Sequence, residues 1–390
     1  MISRQRFLGL FVLTLVASIA AVPGRAAVAV AAETIAKQAI VKELATGKVL
    51  FEKNSKSPMD PASMSKMMTV YLIFERLRDG RLSLDDTFPV SENAWRKGGA
   101  KSGSSTMFLE PGSRARLEDL IRGIVVQSGN DACIVLAEGL AGKEETFAAE
   151  MTAKAKALGM ADTVFKNSTG WPAPDQTTTA ADLAILAERT VRDFPQYYHY
   201  YAEKSFTYNG IRQSNRNPLL YKSMGVDGLK TGHTVAAGYG LAASAERENR
   251  RLVSVVGGLP SKRSRSRESE RLLEWGFREF ANYALFKKDE TVAEAAVWLG
   301  KSPRVPLVIP QDLTLTLPKK SRRDMKVKVS FMGPIPSPIE KGAPLAKLLI
   351  TVPNEAPMEI TLVAGAGVEK LGLFGRLSAA VQHIMWGEAN

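Results

Sequence analysis

Hydrophobic positions change their period several times along the chain, and each change marks an element. The sequence opens on an apolar run from Phe7 to Val22, preceded by Arg4 and Arg6 and followed by Pro23, Gly24 and a small-residue tract from Ala26 to Ala32. A charged head, an apolar middle and a small-residue end are the order of a secretory signal peptide. Residues 1–32 are therefore expected to be removed on export, with cleavage near Ala31 or Ala32. A permanent membrane anchor is the competing reading, but the run is short for a bilayer span. Two strand-like runs follow, Gln38 to Glu43 and Lys48 to Glu52, and Ala45, Thr46 and Gly47 between them suggest a hairpin.

From Pro61 to about residue 190 the period becomes helical. Asp60 can cap, Pro61 suits a first helical position, and Met64, Met67, Met68, Val70, Tyr71, Leu72, Phe74 and Leu77 follow before Asp79-Gly80 ends the run. Apolar residues on nearly every face predict that this helix lies inside the protein. Leu117 to Leu140 is helical with a break around Ser128-Gly129-Asn130, and Ala180 to Val191 gives another helix. Strand character returns in Gly225 to Lys230, Gly238 to Ala245 and Arg251 to Gly257, and Arg267 to Tyr283 reads as a closing helix. Strands at both ends with helices between predict an α/β domain over residues 33–284, its one sheet built from terminal segments and covered by helices.

Beyond Tyr283 the chain changes character. Ten prolines from Pro303 to Pro357 punctuate short β-type runs, which suits a small all-β domain over residues 285–370. In residues 371–390, Leu373 or Phe374, Leu377, Val381 and Ile384 recur on one helical face, with Arg376, Ser378, Gln382 and His383 opposite. Such an amphipathic helix fits a membrane surface or a docked position on the β domain, and the pattern alone does not choose.

Composition narrows the chemistry. With 390 residues, 45% of them hydrophobic, the chain can bury a sizeable core without cross-links. Cys133 is the single cysteine, which excludes an intramolecular disulfide and a cysteine-based metal cluster. His199, His233 and His383 are too few for a multi-histidine centre, so no metal or cofactor is expected. The net charge of +12 falls to +9 when Arg4, Arg6 and Arg25 leave with the signal. A basic surplus points to an anionic partner. Export disfavours nucleic acid and leaves lipid head groups and cell-wall polymers.

Three short motifs carry candidate chemistry. Ser63 and Lys66 sit three residues apart, which stacks nucleophile and base on one helix face. Free N–H groups of a first turn favour developing negative charge on Ser63, and the apolar neighbours Met64, Met67, Met68 and Val70 should lower the pKa of Lys66. The bland alternative is an incidental serine and a snorkelling lysine, because Ser-x-x-Lys alone is common. Ser128-Gly129-Asn130 follows Lys66 by 62 residues and offers a hydroxyl for proton relay and an amide for a substrate carbonyl. Lys230-Thr231-Gly232 lies 100 residues beyond Asn130, at the end of a strand-like run, where ammonium and hydroxyl would attract a carboxylate. There the glycine lets another chain approach the strand edge.

With these motifs in this order, on helix, loop and strand, the chain resembles the low-molecular-mass penicillin-binding proteins, specifically the type-5 D-alanyl-D-alanine carboxypeptidases. The likeness is carried by the runs Pro61 to Lys66, Gln127 to Cys133, Asn215 to Asn217 and Val226 to Thr234. It implies a penicillin-binding, serine β-lactamase-like catalytic domain with an antiparallel sheet covered by helices, then the β domain and a terminal amphipathic helix. It further implies that Ser63 attacks the carbonyl between two terminal D-alanines of a peptidoglycan stem peptide and that Lys66 takes its proton. Ser128 with Lys230 would pass a proton to the departing D-alanine, and Asn130 would hold the substrate amide. Backbone N–H groups of Ser63 and His233 would form the oxyanion hole beside Gly232, and Thr231 would bind the terminal carboxylate. Arg216 and Arg265 are candidates for further carboxylate or loop contacts. β-Lactams would be trapped on the same serine, and the expected location is the outer face of the cytoplasmic membrane, held through the terminal helix.

Two departures from the family pattern, Ala180-Ala181 before Asp182 and Gln176 in place of a histidine, are expected to alter loop packing and not activity. Residues 166–176 hold Asp175 but no Glu, which counts against the deacylating carboxylate of class A β-lactamases. A D,D-endopeptidase, a weak β-lactamase and a non-catalytic penicillin-binding wall scaffold remain the alternatives. His199 is expected to be a surface or packing residue. Cys133 is expected to be a buried small hydrophobe near the site, with inhibition by thiol reagents as a secondary expectation.

Overall fold

A computed structural model describes residues 32–386. The expected signal segment lies outside these residues, apart from Ala32. In chain order the elements begin with β1 (Gln38–Glu43) and β2 (Val49–Lys53), the expected hairpin, then a 3-10 turn (Ala62–Ser65) and α1 (Lys66–Arg78). They continue with β3 (Thr87–Pro89), α2 (Glu92–Gly98), β4 (Arg114–Arg116), α3 (Leu117–Arg122), α4 (Asn130–Ala141), α5 (Glu144–Ala157) and α6 (Ala180–Asp193). The small hairpin of β5 (Ser205–Tyr208) and β6 (Ile211–Ser214) precedes β7 (Val226–Thr234), β8 (Gly238–Arg247), β9 (Arg250–Leu259) and α7 (Lys262–Glu279).

Among the described residues, five of these strands form one antiparallel sheet in the order β2-β1-β9-β8-β7. The first strands therefore pair with the last, as strand character at both ends of the domain implies, and the helical middle is inserted between them. One core cluster joins the sheet to the helices through Ile40, Met68, Phe74, Leu120, Ile134, Leu183, Leu229 and Val255. α1 is buried on nearly all sides, as its unbroken apolar run requires. β7 lies at the sheet edge, so its free edge can accept a further extended chain.

Two boundaries differ from the sequence reading. The closing helix begins at Lys262, five residues before Arg267, because Ser261 and Ser264 form a reciprocal cap at its start. It ends at Glu279. The apolar spacing that continues through Phe280 and Tyr283 belongs to a strand, β10 (Phe280–Phe286), which runs through the expected boundary at 284/285.

β10 pairs with β13 (Leu313–Pro318) as a two-stranded ribbon. The remaining strands are β11 (Thr291–Trp298), β12 (Arg304–Val308), β14 (Lys326–Ser330), β15 (Ile335–Pro336), β16 (Pro344–Thr351) and β17 (Met358–Ala364). They form a sheet in the order β14-β16-β17-β12-β11-β15. Its core is a separate cluster around Val297, Leu307, Leu348, Ile350 and Leu362. The chain then enters α8 (Leu373–Trp386). Among the described residues no helix is long and apolar enough to cross a membrane.

Candidate active site

Ser63 lies in the tight turn ahead of α1 and not in a continuous helix, because Ala62 adopts φ 46°. Left-handed backbone at an alanine costs about 1 kcal/mol or more, so the surroundings must enforce it. They do so from three sides. Asp60 accepts a hydrogen bond from the Ala62 N–H at 3.0 Å and another from Thr234 Oγ1 at 3.2 Å, tying the turn to β7. Gly232 of β7 packs so closely that a Cβ there would lie 3.2 Å from the Ala62 Cβ. On the third side Gly170, at φ 80°, leaves no room for a side chain: a Cβ would sit 1.9 Å from the Ala62 carbonyl oxygen.

Lys66, the first residue of α1, reaches back along its own helix. Its Nζ is 3.1 Å from Ser63 Oγ and donates to the Thr169 carbonyl at 2.5 Å. Burial strips its hydration and lowers its pKa to about 8, with a further lowering from Arg216 opposed by Cys133, Asp131 and Glu144. The lysine is thus a serine-contacting base with a neutral fraction of roughly one tenth at pH 7, far above that of an ordinary lysine.

Ser128 follows a π-helical turn (Gly123–Gln127) and takes φ 67°, which breaks the helical run and swings its hydroxyl inward. The buried hydroxyl has no hydrogen-bond partner among the described residues. Asn130 begins α4, and its N–H donates to the Ser105 carbonyl at 2.7 Å. The neighbouring Asp131 carboxylate holds the loop before it by accepting from Thr106 Oγ1 at 2.5 Å and from the N–H groups of Met107 and Leu109. Burial raises its pKa against these stabilising hydrogen bonds.

Lys230, Thr231, Gly232 and His233 lie on edge strand β7. Lys230 is buried, and desolvation, followed by the nearby charges of Lys66 and Arg216, depresses its pKa well below the lysine range. The His233 ring is exposed and stacks on Tyr239 at 3.9 Å. Arg216 donates to Ser105 Oγ, and Arg265, in the first turn of α7, donates to the Arg216 carbonyl at 3.4 Å. Desolvation lowers the pKa of Arg265 to about 10.

The structure brings these groups to one cleft. A cavity of about 460 Å³ is lined by Ser63, Ser105, Ser128, Arg216, Thr231, Gly232, His233, Tyr239, Lys262 and Arg265. Lys66 and Lys230 sit buried behind this wall, and Asn130 next to Ser128. Seven of the ten residues expected to act line the cleft, Lys66 contacts Ser63 of that lining, and Asn130 and Lys230 are buried within two residues of Ser128 and Thr231 in the chain. Ser105, Tyr239 and Lys262 complete the lining, and sequence reasoning did not find them. Thr169 acts through its backbone carbonyl, Gly170 through its lack of a side chain and Asp131 through its carboxylate, and only the place of Asp131 directly after Asn130 gave a signal. Among the described residues no carboxylate lines the cavity, whose charged side chains are cationic, so it suits an anionic ligand and a serine nucleophile. Cys133 is buried, and desolvation pushes its thiol up to about 12.

Comparison with known proteins adds to this geometry. Residues 25–261 match a family model described as D-alanyl-D-alanine carboxypeptidase, and residues 280–370 match the C-terminal domain of penicillin-binding protein 5. The chain is 40% identical over 341 residues to the D-alanyl-D-alanine carboxypeptidase DacC of Escherichia coli, covering 87% of this chain and 85% of that protein. It is similar in structure to penicillin binding protein 5 of Haemophilus influenzae, with TM-score 0.76 and 34% identity over 87% of this chain and 99% of that one. It is also similar to penicillin-binding protein D2 of Listeria monocytogenes in its ampicillin-bound form, with TM-score 0.54 and 30% identity over 62% and 97% of the two chains.

Proposed function

Because the chain belongs to the D-alanyl-D-alanine carboxypeptidase family of serine peptidases, we propose that its cleft removes the terminal D-alanine from peptidoglycan stem pentapeptides through an acyl-enzyme on Ser63. The observation that carries the assignment of roles is the Ser63–Lys66 pair, 3.1 Å apart, with a lysine whose pKa is lowered to about 8. Lys66 removes the Ser63 proton as Oγ attacks the scissile carbonyl. Backbone N–H groups of Ser63 and His233 receive the developing oxyanion, an interaction worth roughly 3–4 kcal/mol per donor in serine peptidases. The Ser128 hydroxyl, unpartnered among the described residues, relays a proton with Lys230 to the departing D-alanine amine. Asn130 holds the substrate amide. Thr231, with Arg216 and Arg265, binds the terminal carboxylate, which suits the cationic lining of the cleft. Water then hydrolyses the ester. A β-lactam acylates the same serine and stays bound.

Incubation with a peptide ending in D-alanyl-D-alanine should release free D-alanine. Ser63→Ala should abolish both that release and covalent labelling by penicillin. Penicillin labelling without any D-alanine release by the unaltered protein would overturn the carboxypeptidase reading in favour of a wall-binding scaffold.

The proposal extends to location: an exported protein held peripherally on the outer face of the cytoplasmic membrane through α8. In support, Leu373, Phe374, Leu377 and Val381 are 79%, 91%, 67% and 47% exposed, so these side chains are not docked on the β domain. Deleting residues 371–390 should release the protein from the membrane fraction. Retention of the truncated protein there would overturn the anchor.

A further inference from the structure

α8 leaves the β domain at a defined corner of the six-stranded sheet. The Leu371 N–H, two residues before the helix, donates to the Leu299 carbonyl at 2.9 Å. The same carbonyl accepts from Ser337 Oγ at 2.7 Å, and the Ser337 N–H donates to the Trp298 carbonyl at 3.0 Å. One carbonyl thus joins the root of the helix to the residue that follows the two-residue strand β15. Strand pairing places the two at the same end of the sheet. Ser330, the last residue of β14, lies opposite Lys347 near the start of β16, while Ile335 of β15 pairs with Val297 at the end of β11.

The loop between them has an unusual surface. Residues 329–339 carry no charge. Ile335 and Ile339 are buried and pin its base, whereas Met332 is 93% exposed, Phe331 is 39% exposed, and Gly333 and Pro334 are exposed beside them. Lys328 precedes this stretch and the exposed pair Glu340-Lys341 follows it; neither lysine has a carboxylate partner among the described residues. An uncharged apolar tip at the same end of the sheet as the root of an exposed amphipathic helix has the chemistry of an interfacial lipid contact.

We propose that the 331–334 loop is a second lipid-contacting element, which inserts Met332 and Phe331 into the surface of an anionic bilayer next to α8. Lys328 and Lys341 meet lipid phosphates. The proposal rests on the reading of α8 as a membrane-surface helix. Two contacts joined through Leu299 fix the tilt of the β domain on the membrane, which a single terminal helix does not.

The test uses the mature full-length protein carrying Met332→Cys, labelled with an environment-sensitive fluorophore. The native Cys133 is buried and does not compete for label. Vesicles of phosphatidylglycerol and phosphatidylethanolamine should shift the dye to the blue, and spin labels on the acyl chains should quench it. The same dye at the exposed Lys56, introduced by Lys56→Cys, should respond to neither. Met332→Asp should weaken vesicle binding about 10-fold, the order expected for losing one inserted apolar side chain. D-alanine release should be unchanged and serves as the check on folding. Vesicle binding by the full chain with a silent dye at position 332 would overturn the loop contact while leaving the helix reading intact. Equal binding by a chain lacking residues 371–390 would instead overturn the helix reading. No vesicle binding by the full chain would overturn both.

Discussion

A buried lysine titrates where its desolvation sets it, and Lys66 does so near 8. Acylation requires the neutral amine, so the second-order rate of labelling by a β-lactam should rise about tenfold per pH unit below that value and level off above it. A flat profile from about pH 6 to 9 would remove Lys66 from the role of base. Stability follows the same direction. The folded pKa lies below the ordinary lysine value of 10.5, so the unfolded chain binds more protons between about 8 and 10.5. Stability therefore gains with pH across that window, and Lys230 adds to the trend. Cys133 behaves in the opposite way. With its thiol held near 12 and fully buried, it should resist thiol reagents in the native protein at neutral pH and react only after denaturation. Rapid native-state labelling with loss of activity would restore the expectation of thiol-reagent inhibition.

At the scale of elements, the serine turn depends on a loop that presses onto it. Gly170→Ala would bring a Cβ within 1.9 Å of the Ala62 carbonyl oxygen and within 2.3 Å of Ser65 Oγ, on backbone already at φ 80°. The expected result is a loss of about 3 kcal/mol or more in denaturant unfolding, together with a marked fall in acylation rate, because the displaced loop carries the Thr169 carbonyl that Lys66 contacts. Unchanged acylation by this variant would show that the loop does not position the lysine. The Ser63–Lys66 pair was legible in the sequence because three residues on one helical path bring the groups together without tertiary information. The break at Ser128 was legible because Gly and Asn interrupt an apolar run. By contrast, Thr169 acts through a main-chain carbonyl, and the Asp60–Thr234 contact joins residues 174 apart, so neither leaves a local pattern. The start of α7 was hidden by its basic first turn. The strand β10 was hidden because Phe277, Phe280 and Tyr283 prolong a helical spacing until pairing with β13 overrides it.

At the scale of the whole molecule, the β domain meets the catalytic domain through polar contacts centred on Glu43. Its buried carboxylate accepts from Arg250 Nε at 2.7 Å and from Asn282 Nδ2 of β10 at 3.2 Å. Thr46 and Thr316 add a hydroxyl pair at 2.6 Å, and Lys48 pairs with Glu355 at 2.5 Å. Glu43→Ala leaves the largely buried Arg250 without its partner and should cost about 3–5 kcal/mol in chemical denaturation. A loss below about 1 kcal/mol would show that the junction does not depend on this pair.

The sheet order also governs how the molecule can be made. Ile40 of β1 lies beside Val255 of β9, so the second neighbour of the first strand is the last strand of the domain to leave the ribosome. Until then β1 has only the β2 hairpin, and a two-stranded ribbon is marginal in water. Folding must close a loop of more than 200 residues before β1 is paired on both sides, which slows it. The proposed export, which needs an extended chain, gains from that delay, because the central β-pairing of the catalytic domain waits for the last strand of that domain.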